Sequence, residues 1–139
     1  MCCALLWLAG CGAPKGPTVE DLDAHENLSL FKLGSLRGTR DGDRLETQAM
    51  FTDSSTMLNI DMRFVIGAPN STLESGTWRW NRHNQLLSGT VAARSVTFLG
   101  GQSGPPSIGG TFDLLLPDGN ARYRVIIPVT ELKQRLSIR

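Results

Sequence analysis

The chain has 139 residues, with 14 basic and 13 acidic side chains and a formal net charge of +1. Hydrophobic residues make up 40% of the chain and charged residues 19%, which excludes intrinsic disorder and favours one folded domain. All three cysteines, Cys2, Cys3 and Cys11, precede residue 12, so the rest of the chain can form neither a disulfide nor a cysteine-ligated metal site.

The first predicted segment is an apolar stretch at residues 1–10, followed by Cys11 and then by a sequence rich in proline and glycine. This pattern is typical of a secretory signal peptide, and the stretch is too short to span a bilayer as a helix. Leu8-Ala9-Gly10-Cys11 resembles the lipobox of bacterial lipoproteins. The resemblance implies that residues 1–10 are removed and that Cys11 carries the lipid. The alternative is an apolar N-terminal strand that packs on the domain.

The resemblance also carries an expectation about location. Gly12, rather than an aspartate, follows the cysteine, and within the lipoprotein family this implies the outer membrane of a Gram-negative cell. Family members carry several acyl chains on this cysteine, which makes a stable anchor because a single chain holds only weakly. We therefore expect a lipid-anchored protein of the cell envelope that faces the periplasm or the cell surface.

Residues 11–27 are predicted to form a lipidated N-terminus and a flexible acidic tether. Residues 12–27 contain two prolines, two glycines, one lysine and four acidic residues, so their net charge is −3. The acidic residues lack the alternate spacing and the glycine of a calcium-binding loop. Residues 28–139 carry 13 basic and 9 acidic residues, a net charge of +4, and are predicted to form the folded domain.

From residue 28 onward, apolar and polar residues alternate in short runs separated by turn residues. The clearest run covers residues 58–66, in which the even-numbered residues are apolar. Asp41-Gly42 predicts a turn that pairs Arg40 with Asp43 and Arg37 with Glu46. Further strands are predicted at residues 77–80 and at residues 86–99, the latter with a bend at Gly89 or at Ala92-Ala93.

The last hairpin can be predicted down to its register. Asp118-Gly119 suits a two-residue turn that needs positive φ. The predicted pairs are Leu116 with Ala121, Leu114 with Tyr123, Phe112 with Val125, and Asp113 with Arg124. The apolar pairs then share one face and the opposite charges share the other. Pro128 cannot donate to a ladder, so it should end this strand or lie on an edge.

Residues 129–139 fit an alternating strand better than a short helix. The whole pattern predicts an all-β fold of about seven to eight antiparallel strands over residues 28–139. The sequence leaves open whether these strands form a β-sandwich or a small β-barrel.

Two tryptophans are the first candidates for contact with a ligand or partner. Trp78 and Trp80 should point to the same face of a strand, about 7 Å apart, and could stack on a ring, a sugar or a lipid. The alternative places both in the core, with each indole N–H hydrogen-bonded. Arg79 and Arg82 are predicted to point to the opposite face.

The second candidate for contact is the loop at residues 100–110, which contains five glycines. Long irregular loops are often functional, and we expect partner contacts at Gly101, Gln102, Ser103 and Gly104. No Gly-Lys-Ser/Thr follows, which excludes a nucleotide-binding phosphate loop. The alternative is a surface connection between sheets.

The domain offers little for catalysis. His83 lies in a polar turn and His25 in the predicted tether, and no nucleophile motif is present. Histidines and carboxylates nowhere show the spacing of metal ligands. We therefore predict no catalytic residue, no metal and no cofactor.

The sequence thus favours a lipid-anchored envelope protein that works as a binding or structural module. Its expected partners are the membrane, through the lipid, and an envelope protein, a glycan or an anionic lipid. Nucleic acid is not expected, because no basic run with interleaved aromatic residues occurs. One alternative is a barrel that carries a hydrophobic ligand in a lumen lined by Trp78, Trp80, Phe64 and Phe112. The other is an envelope hydrolase, which needs His83 beside a serine and a carboxylate.

Overall fold

The computed structural model describes residues 17–28, 31–53, 55–67, 70–100 and 106–134. Within these ranges the fold is all-β and its strands form one sheet, which confirms the predicted class. Ten strands make up the sheet, and two of them are only two residues long. They are β1 (Thr18–Asp21), β2 (Glu26–Asn27), β3 (Lys32–Asp41), β4 (Arg44–Thr52), β5 (Met57–Val65), β6 (Thr72–Arg82), β7 (Gln85–Leu99), β8 (Ser107–Leu115), β9 (Ala121–Glu131) and β10 (Lys133–Gln134).

The sheet is a long antiparallel meander with additions at both edges. β3 to β9 pair in chain order, and each is antiparallel to the next. β1 pairs with the free side of β9, β2 pairs with β1, and β10 pairs in parallel with β3. Only Leu132 separates β9 from β10, which pairs with β3 at the far edge of the sheet, so the chain links β9 directly to that edge. The sheet is therefore curled rather than flat.

Successive turns alternate between the two ends of this curled sheet. We call one end the cleft end; among the described residues it carries 22–25, 28, 31, 53, 55–56, 83–84 and 116–120. The opposite end carries residues 42–43, 66–67, 70–71, 100 and 106. Because β1 is antiparallel to β9, its first residue points to this opposite end, and we call it the N-terminal end.

The core lies on the concave face of the sheet. Phe64 of β5 and Phe112 of β8 meet with ring centroids 6.0 Å apart, although two strands separate them in the sheet. Alternation explains this packing, since every second residue of a strand points to the same face. The largest fully buried side chains are Trp78, Trp80, Tyr123, Phe51, Phe64, Phe112, Leu45, Leu58, Ile60, Leu114, Val19 and Val125.

The C-terminal hairpin follows the predicted register over most of its length. Leu114 pairs with Tyr123, Asp113 with Arg124, and Phe112 with Val125, as the sequence predicts. The predicted pair of Leu116 with Ala121 is wrong, because Ala121 pairs with Leu115. Leu116 and Asn120 close a wider turn by a 2.9 Å backbone hydrogen bond, and a bulge at Arg122 restores the predicted register.

The predicted turn at Asp41-Gly42 is displaced by one residue. Asp41 pairs with Arg44, so Gly42 and Asp43 are the central residues of the turn. The predicted pairs of Arg40 with Asp43 and of Arg37 with Glu46 are therefore wrong, and the actual partners are Leu45 and Gln48. Gly42 has φ of 65°, which is typical of a hairpin turn with glycine at its first central position.

The predicted tether differs most from the structure. Residues 18–21 form β1 and residues 26–27 form β2, so the predicted flexible segment does not extend through them. Val19 is fully buried in the core, and its burial explains why this acidic segment joins the sheet. Residues 1–16, and with them Cys11, lie outside the described residues.

The remaining strand predictions agree in part with the structure. β7 covers the predicted strand at residues 86–99 and has a register shift between Ala93 and Ser95, beside one of the two predicted bend sites. Pro128 lies at another register shift, beyond the last residue of β9 that pairs with β1. Residues 129–131 and 133–134 are strands as predicted, and residues 135–139 lie outside the described residues.

Candidate functional site

A buried aspartate joins three segments at the cleft end. Asp21 ends β1 and is 3% exposed. Arg82, which ends β6, donates from Nη1 to its Oδ2 over 3.0 Å, and Arg122, at the bulge of β9, donates from Nε and Nη2 over 3.4 Å. The backbone N–H groups of Asp23 and Ala24 donate to Oδ1 over 3.1 Å each, so the same carboxylate also fixes the turn after β1.

The hydrogen bonds outweigh the cost of burying this charge. Burial acts to raise the pKa of Asp21, but donation from Arg82, Ala24 and Arg122 lowers the pKa to about 2. Burial likewise acts to lower the pKa of Arg82, whereas its bonds to Tyr123 and Asp21 raise it. All three ion-paired side chains therefore keep their charges near neutral pH.

Aromatic rings surround this ion pair on the core side. Arg82 donates to the hydroxyl of Tyr123 over 2.9 Å, and its guanidinium lies 5.1 Å from the ring centroid of Trp80. Trp80 packs against the ring of Tyr123 at 4.9 Å and meets Phe31 edge-on at 4.7 Å. The rings and the ion pair together hold β6, β9 and the segment before β3 in fixed positions.

Above these rings lies an open cleft of about 970 Å³. The turns of the cleft end form its walls, and ten of the thirteen lining residues carry polar side chains. The lining residues are Glu26, Asn27, Leu28, Phe31, Thr52, Asp53, Ser55, Thr56, Met57, Asn81, Arg82, His83 and Asn84.

Two turns of the cleft wall are held by specific local bonds. Asp53 accepts the backbone N–H groups of Ser55 and Thr56 over 2.7 Å and 2.8 Å, and these bonds lower the pKa of its carboxyl group. In the neighbouring turn, His83 and Asn84 have φ of 54° and 60°, the left-handed values of a tight hairpin turn. Both turns thus have a defined shape before any ligand arrives.

A hydroxyl group connects the cleft wall to the core. The indole N–H of Trp80 donates to Oγ1 of Thr56 over 3.1 Å, and the same hydroxyl donates to the carbonyl oxygen of Asn81. Thr56 therefore ties the β4–β5 turn to the end of β6. Four of the cleft-lining side chains also contact the core, namely Leu28, Phe31, Thr56 and Arg82.

The two tryptophans predicted to contact a ligand belong to the core. Trp78 and Trp80 are each 1% exposed, so the predicted exposed platform is wrong. Each indole N–H is hydrogen-bonded, that of Trp78 to the carbonyl oxygen of Leu115 over 2.9 Å, as the core alternative requires. Gly89 permits this bond, because a Cβ at residue 89 would lie 1.7 Å from the same oxygen.

The other predicted site residues have different outcomes. The predicted contact residues Gly101, Gln102, Ser103 and Gly104 lie outside the described residues, but residues 107–110 of the predicted loop belong to β8, so the loop is shorter than predicted. His83 is exposed at the rim of the cleft, and within the described ranges it makes no hydrogen bond to a serine or a carboxylate. Side chains fill the interior at Trp78, Trp80, Phe64 and Phe112, which leaves no lumen among these four residues.

Sequence reasoning missed the two residues at the centre of this site. Asp21 looks like one charge of an acidic tether, and only its partners, 61 and 101 residues away, reveal its role. Arg82 was predicted to face away from Trp78 and Trp80, and this is wrong. All three have even numbers in one strand, so the period of two was itself the missed signal.

The described residues bring together no group of three or more histidine, cysteine, aspartate or glutamate side chains that could hold a metal ion. In the same part of the chain, no helix is long and apolar enough to cross a membrane. Comparisons with family models, with curated proteins and with solved structures found no match to this chain.

Proposed function

We propose that this is a lipid-anchored protein of the bacterial envelope that binds a polar ligand in the cleft. The supporting observation is that β1, the strand that follows the proposed anchor segment in the sequence, runs toward the end of the sheet that carries the cleft. We class the curled sheet as a small barrel with an incomplete wall, rather than as a sandwich. Its filled interior favours ligand binding at the end of the barrel over a hydrophobic cargo in a lumen.

The anchor and the sheet together set the orientation of the domain. Six residues lie between Cys11 and Thr18, so their Cα atoms are at most about 25 Å apart. Thr18 pairs with Ile126 near the middle of β9, and β1 runs from there to the cleft end. We therefore expect a lipid on Cys11 to hold the domain close to the membrane, with the cleft end directed away from it.

The lining chemistry favours a neutral or amine-bearing saccharide. The amides of Asn27, Asn81 and Asn84 can each donate to and accept from hydroxyl groups. Glu26 and Asp53 add two carboxylates, whereas the charge of Arg82 is already compensated by Asp21. Among the lining residues that the structure describes, Arg82 is the one arginine or lysine and it is paired, so an anionic ligand would meet these carboxylates and anionic lipid is disfavoured at the cleft.

The anchor is tested by Cys11→Ala in the full chain, expressed in a Gram-negative host that processes lipoproteins. We expect the protein to move from the membrane fraction to the soluble fraction and to lose incorporation of labelled palmitate. Cys2→Ala and Cys3→Ala serve as matched controls and should change neither readout. Retention of the Cys11→Ala variant on membranes, or its continued labelling, would contradict the anchor.

The cleft is tested by NMR titration of the labelled protein with three tetrasaccharides of equal length. Cellotetraose and tetraglucosamine should shift the amide signals of Ser55, Thr56 and Asn84, whereas the acidic tetragalacturonate should not. Asn84→Ala should abolish these shifts, and Asn70→Ala, at the N-terminal end, should preserve them. Binding of the acidic saccharide alone, or shifts away from the cleft, would contradict the proposal.

A further inference from the structure

The wall of the sheet is open between β6 and β7, and we call this opening the fork. The two strands pair only from Thr77 with Thr90 to Arg82 with Gln85. β6, however, begins at Thr72, and β7 continues to Leu99. Residues 72–75 remain paired to β5, and residues 91–99 remain paired to β8, so each strand keeps one side without a neighbour.

Two bulges, one on β6 and one on β7, explain why these strands separate. On β6, Arg63 faces Ser75 and Phe64 faces Leu73, so Glu74 is an extra residue. On β7, Ala93 faces Phe112 and Ser95 faces Thr111, so Arg94 is an extra residue. A bulge bends its strand and increases the local twist, and here both strands bend at the same level.

The last contact before the opening lies at Gly76 and Val91. A Cβ added to Gly76 would lie 2.9 Å from the Cβ of Val91, so the two strands are still in contact there. Beyond this point a groove of about 360 Å³ separates residues 71–75 from residues 91–96. Ala93 is exposed in the groove although its partner on β8, Phe112, is in the core. The opening thus reaches the inner face of the sheet.

The facing sides of the fork offer backbone hydrogen-bonding groups. Apart from the ladders to β5 and β8, no backbone hydrogen bond joins residues 72–75 or 92–96 to any other residue that the structure describes. Unpaired strand sides of this kind are templates for a further strand. Two such sides face each other here, and only a polypeptide in extended conformation matches the hydrogen-bond spacing of both.

We propose that the fork accepts an extended segment of about four to five residues from a partner protein, which inserts between β6 and β7. The side chains at the fork define the inserted sequence. Leu73 and Val96 pack against the core beside the groove, so the inward residues of the segment should be apolar. On the outer side of the fork, Glu74 of β6 is paired with Arg44, and Arg94 of β7 is paired with Asp113. A charged outward residue of the inserted segment would lie near a like charge on either β6 or β7. The outward residues should therefore be uncharged and polar.

The probe is the capped peptide acetyl-Thr-Val-Thr-Val-Thr-amide, added at millimolar concentration to the isotope-labelled full chain with its three cysteines changed to serine. The informative amides are those of residues 72–75 and 92–96 that do not donate to β5 or β8 and therefore face the groove. We expect their signals to shift and their hydrogen exchange to slow at least about tenfold. The same peptide with proline at its centre lacks one donor and should have no effect. If neither peptide shifts these signals, the proposal is wrong. It is also wrong if these groove-facing amides are already protected without any peptide, because the fork would then be closed.

A disulfide across the fork gives a reversible control. Ser75→Cys with Ala92→Cys places the pair one step beyond Gly76 and Val91, and both positions are exposed. The oxidised form should lose peptide binding, and reduction should restore it. Thr77→Cys with Thr90→Cys crosslinks the strands where they already pair, so peptide binding should persist in both redox states. Equal binding by the oxidised forms of the two variants would overturn the assignment to the fork.

Discussion

Arg82 donates to the carboxylate of Asp21 over 3.0 Å, and this ion pair connects two strands that lie 61 residues apart in the sequence. The aspartate ends the strand that follows the proposed anchor segment, and the arginine forms part of the cleft lining. A single contact thus attaches the first strand of the domain to the wall of its candidate ligand site.

Asp21→Asn should reduce the free energy of unfolding by about 2 kcal/mol at pH 7, because it leaves Arg82 half-buried beside a neutral partner. Denaturant unfolding followed by tryptophan fluorescence measures this loss. Asp23→Asn is the matched control, since the Asp23 side chain is 72% exposed and its ion pair is longer, at 3.5 Å. We expect the control to change stability by less than about 0.5 kcal/mol. If both variants lowered the free energy of unfolding equally, the buried ion pair would contribute no more to stability than the exposed one.

The same carboxyl group predicts a pH dependence. Its pKa is lowered from 3.8 to about 2 in the folded protein, so folding favours the ionised form. The resulting stabilisation is complete above the unfolded pKa and is lost as the pH falls through the folded value. The difference in unfolding free energy between the unmodified protein and Asp21→Asn should therefore stay constant from pH 7 to pH 5 and shrink between pH 4 and pH 2. A difference that grew on acidification would contradict the assigned shift.

Gly89→Ala should destabilise the fold by about 3 kcal/mol, because its Cβ would lie 1.7 Å from the carbonyl oxygen of Leu115 and 2.9 Å from Nε1 of Trp78. The hydrogen bond between these two groups should break as β7 and β8 move apart. Gly100→Ala is the control, since no atom of the described residues lies within 4 Å of its Cβ position. Thermal unfolding should show a large fall in Tm for the first variant and almost none for the second.

Thr56→Val keeps the shape of the side chain but removes the hydroxyl group that bridges Trp80 and Asn81. We expect a loss of about 1–3 kcal/mol, since a buried indole N–H loses its acceptor. Thr77→Val, at an exposed position of β6, should stay within about 0.5 kcal/mol of the unmodified protein. A Thr56→Val variant as stable as this control would mean that the hydroxyl bridge does not stabilise the cleft wall.

Asp113 forms ion pairs with two arginines on the outer face of the sheet. These two arginines should contribute differently to the free energy of unfolding. Arg124 approaches it to 2.8 Å and is 30% exposed, whereas Arg94 approaches to 3.3 Å and is 56% exposed. Arg124→Gln should therefore cost about 1 kcal/mol more than Arg94→Gln in denaturant unfolding at low salt. Arg63→Gln, which removes an exposed pair with Glu46, should be nearly neutral. The opposite order of the first two variants would contradict the role given to burial.

Local patterns in the sequence predict the central part of the fold. The alternation at residues 58–66 describes β5, and turn chemistry combined with face pattern gives three of the four pairs in the last hairpin. Both features depend on neighbours in sequence, which is why they can be read without a structure. The displaced turn at Gly42 shows the limit of this reading, since Asp-Gly and Gly-Asp turns satisfy the same local preference.

The site depends instead on contacts between distant parts of the chain. The sequence around Val19 and Asp21 does not indicate a strand, because β1 forms by pairing with residues 123–126, about 100 residues later in the chain. The fork depends on two bulges whose positions are set by the register of neighbouring strands rather than by a turn residue. The positions of these strands and bulges are therefore determined by pairing among several strands and not by local sequence.

The pairing of β1 with β9 has a consequence for how the chain folds. Among the strands that the structure describes, β1 is synthesised first, but its partner, β9, comes next to last. Long-range pairings of this kind slow folding, because distant segments must meet before either gains stability. A chain that still lacks β9 cannot complete its hydrogen-bonded sheet or bury Val19. The topology therefore delays completion of the sheet until β9 has been synthesised.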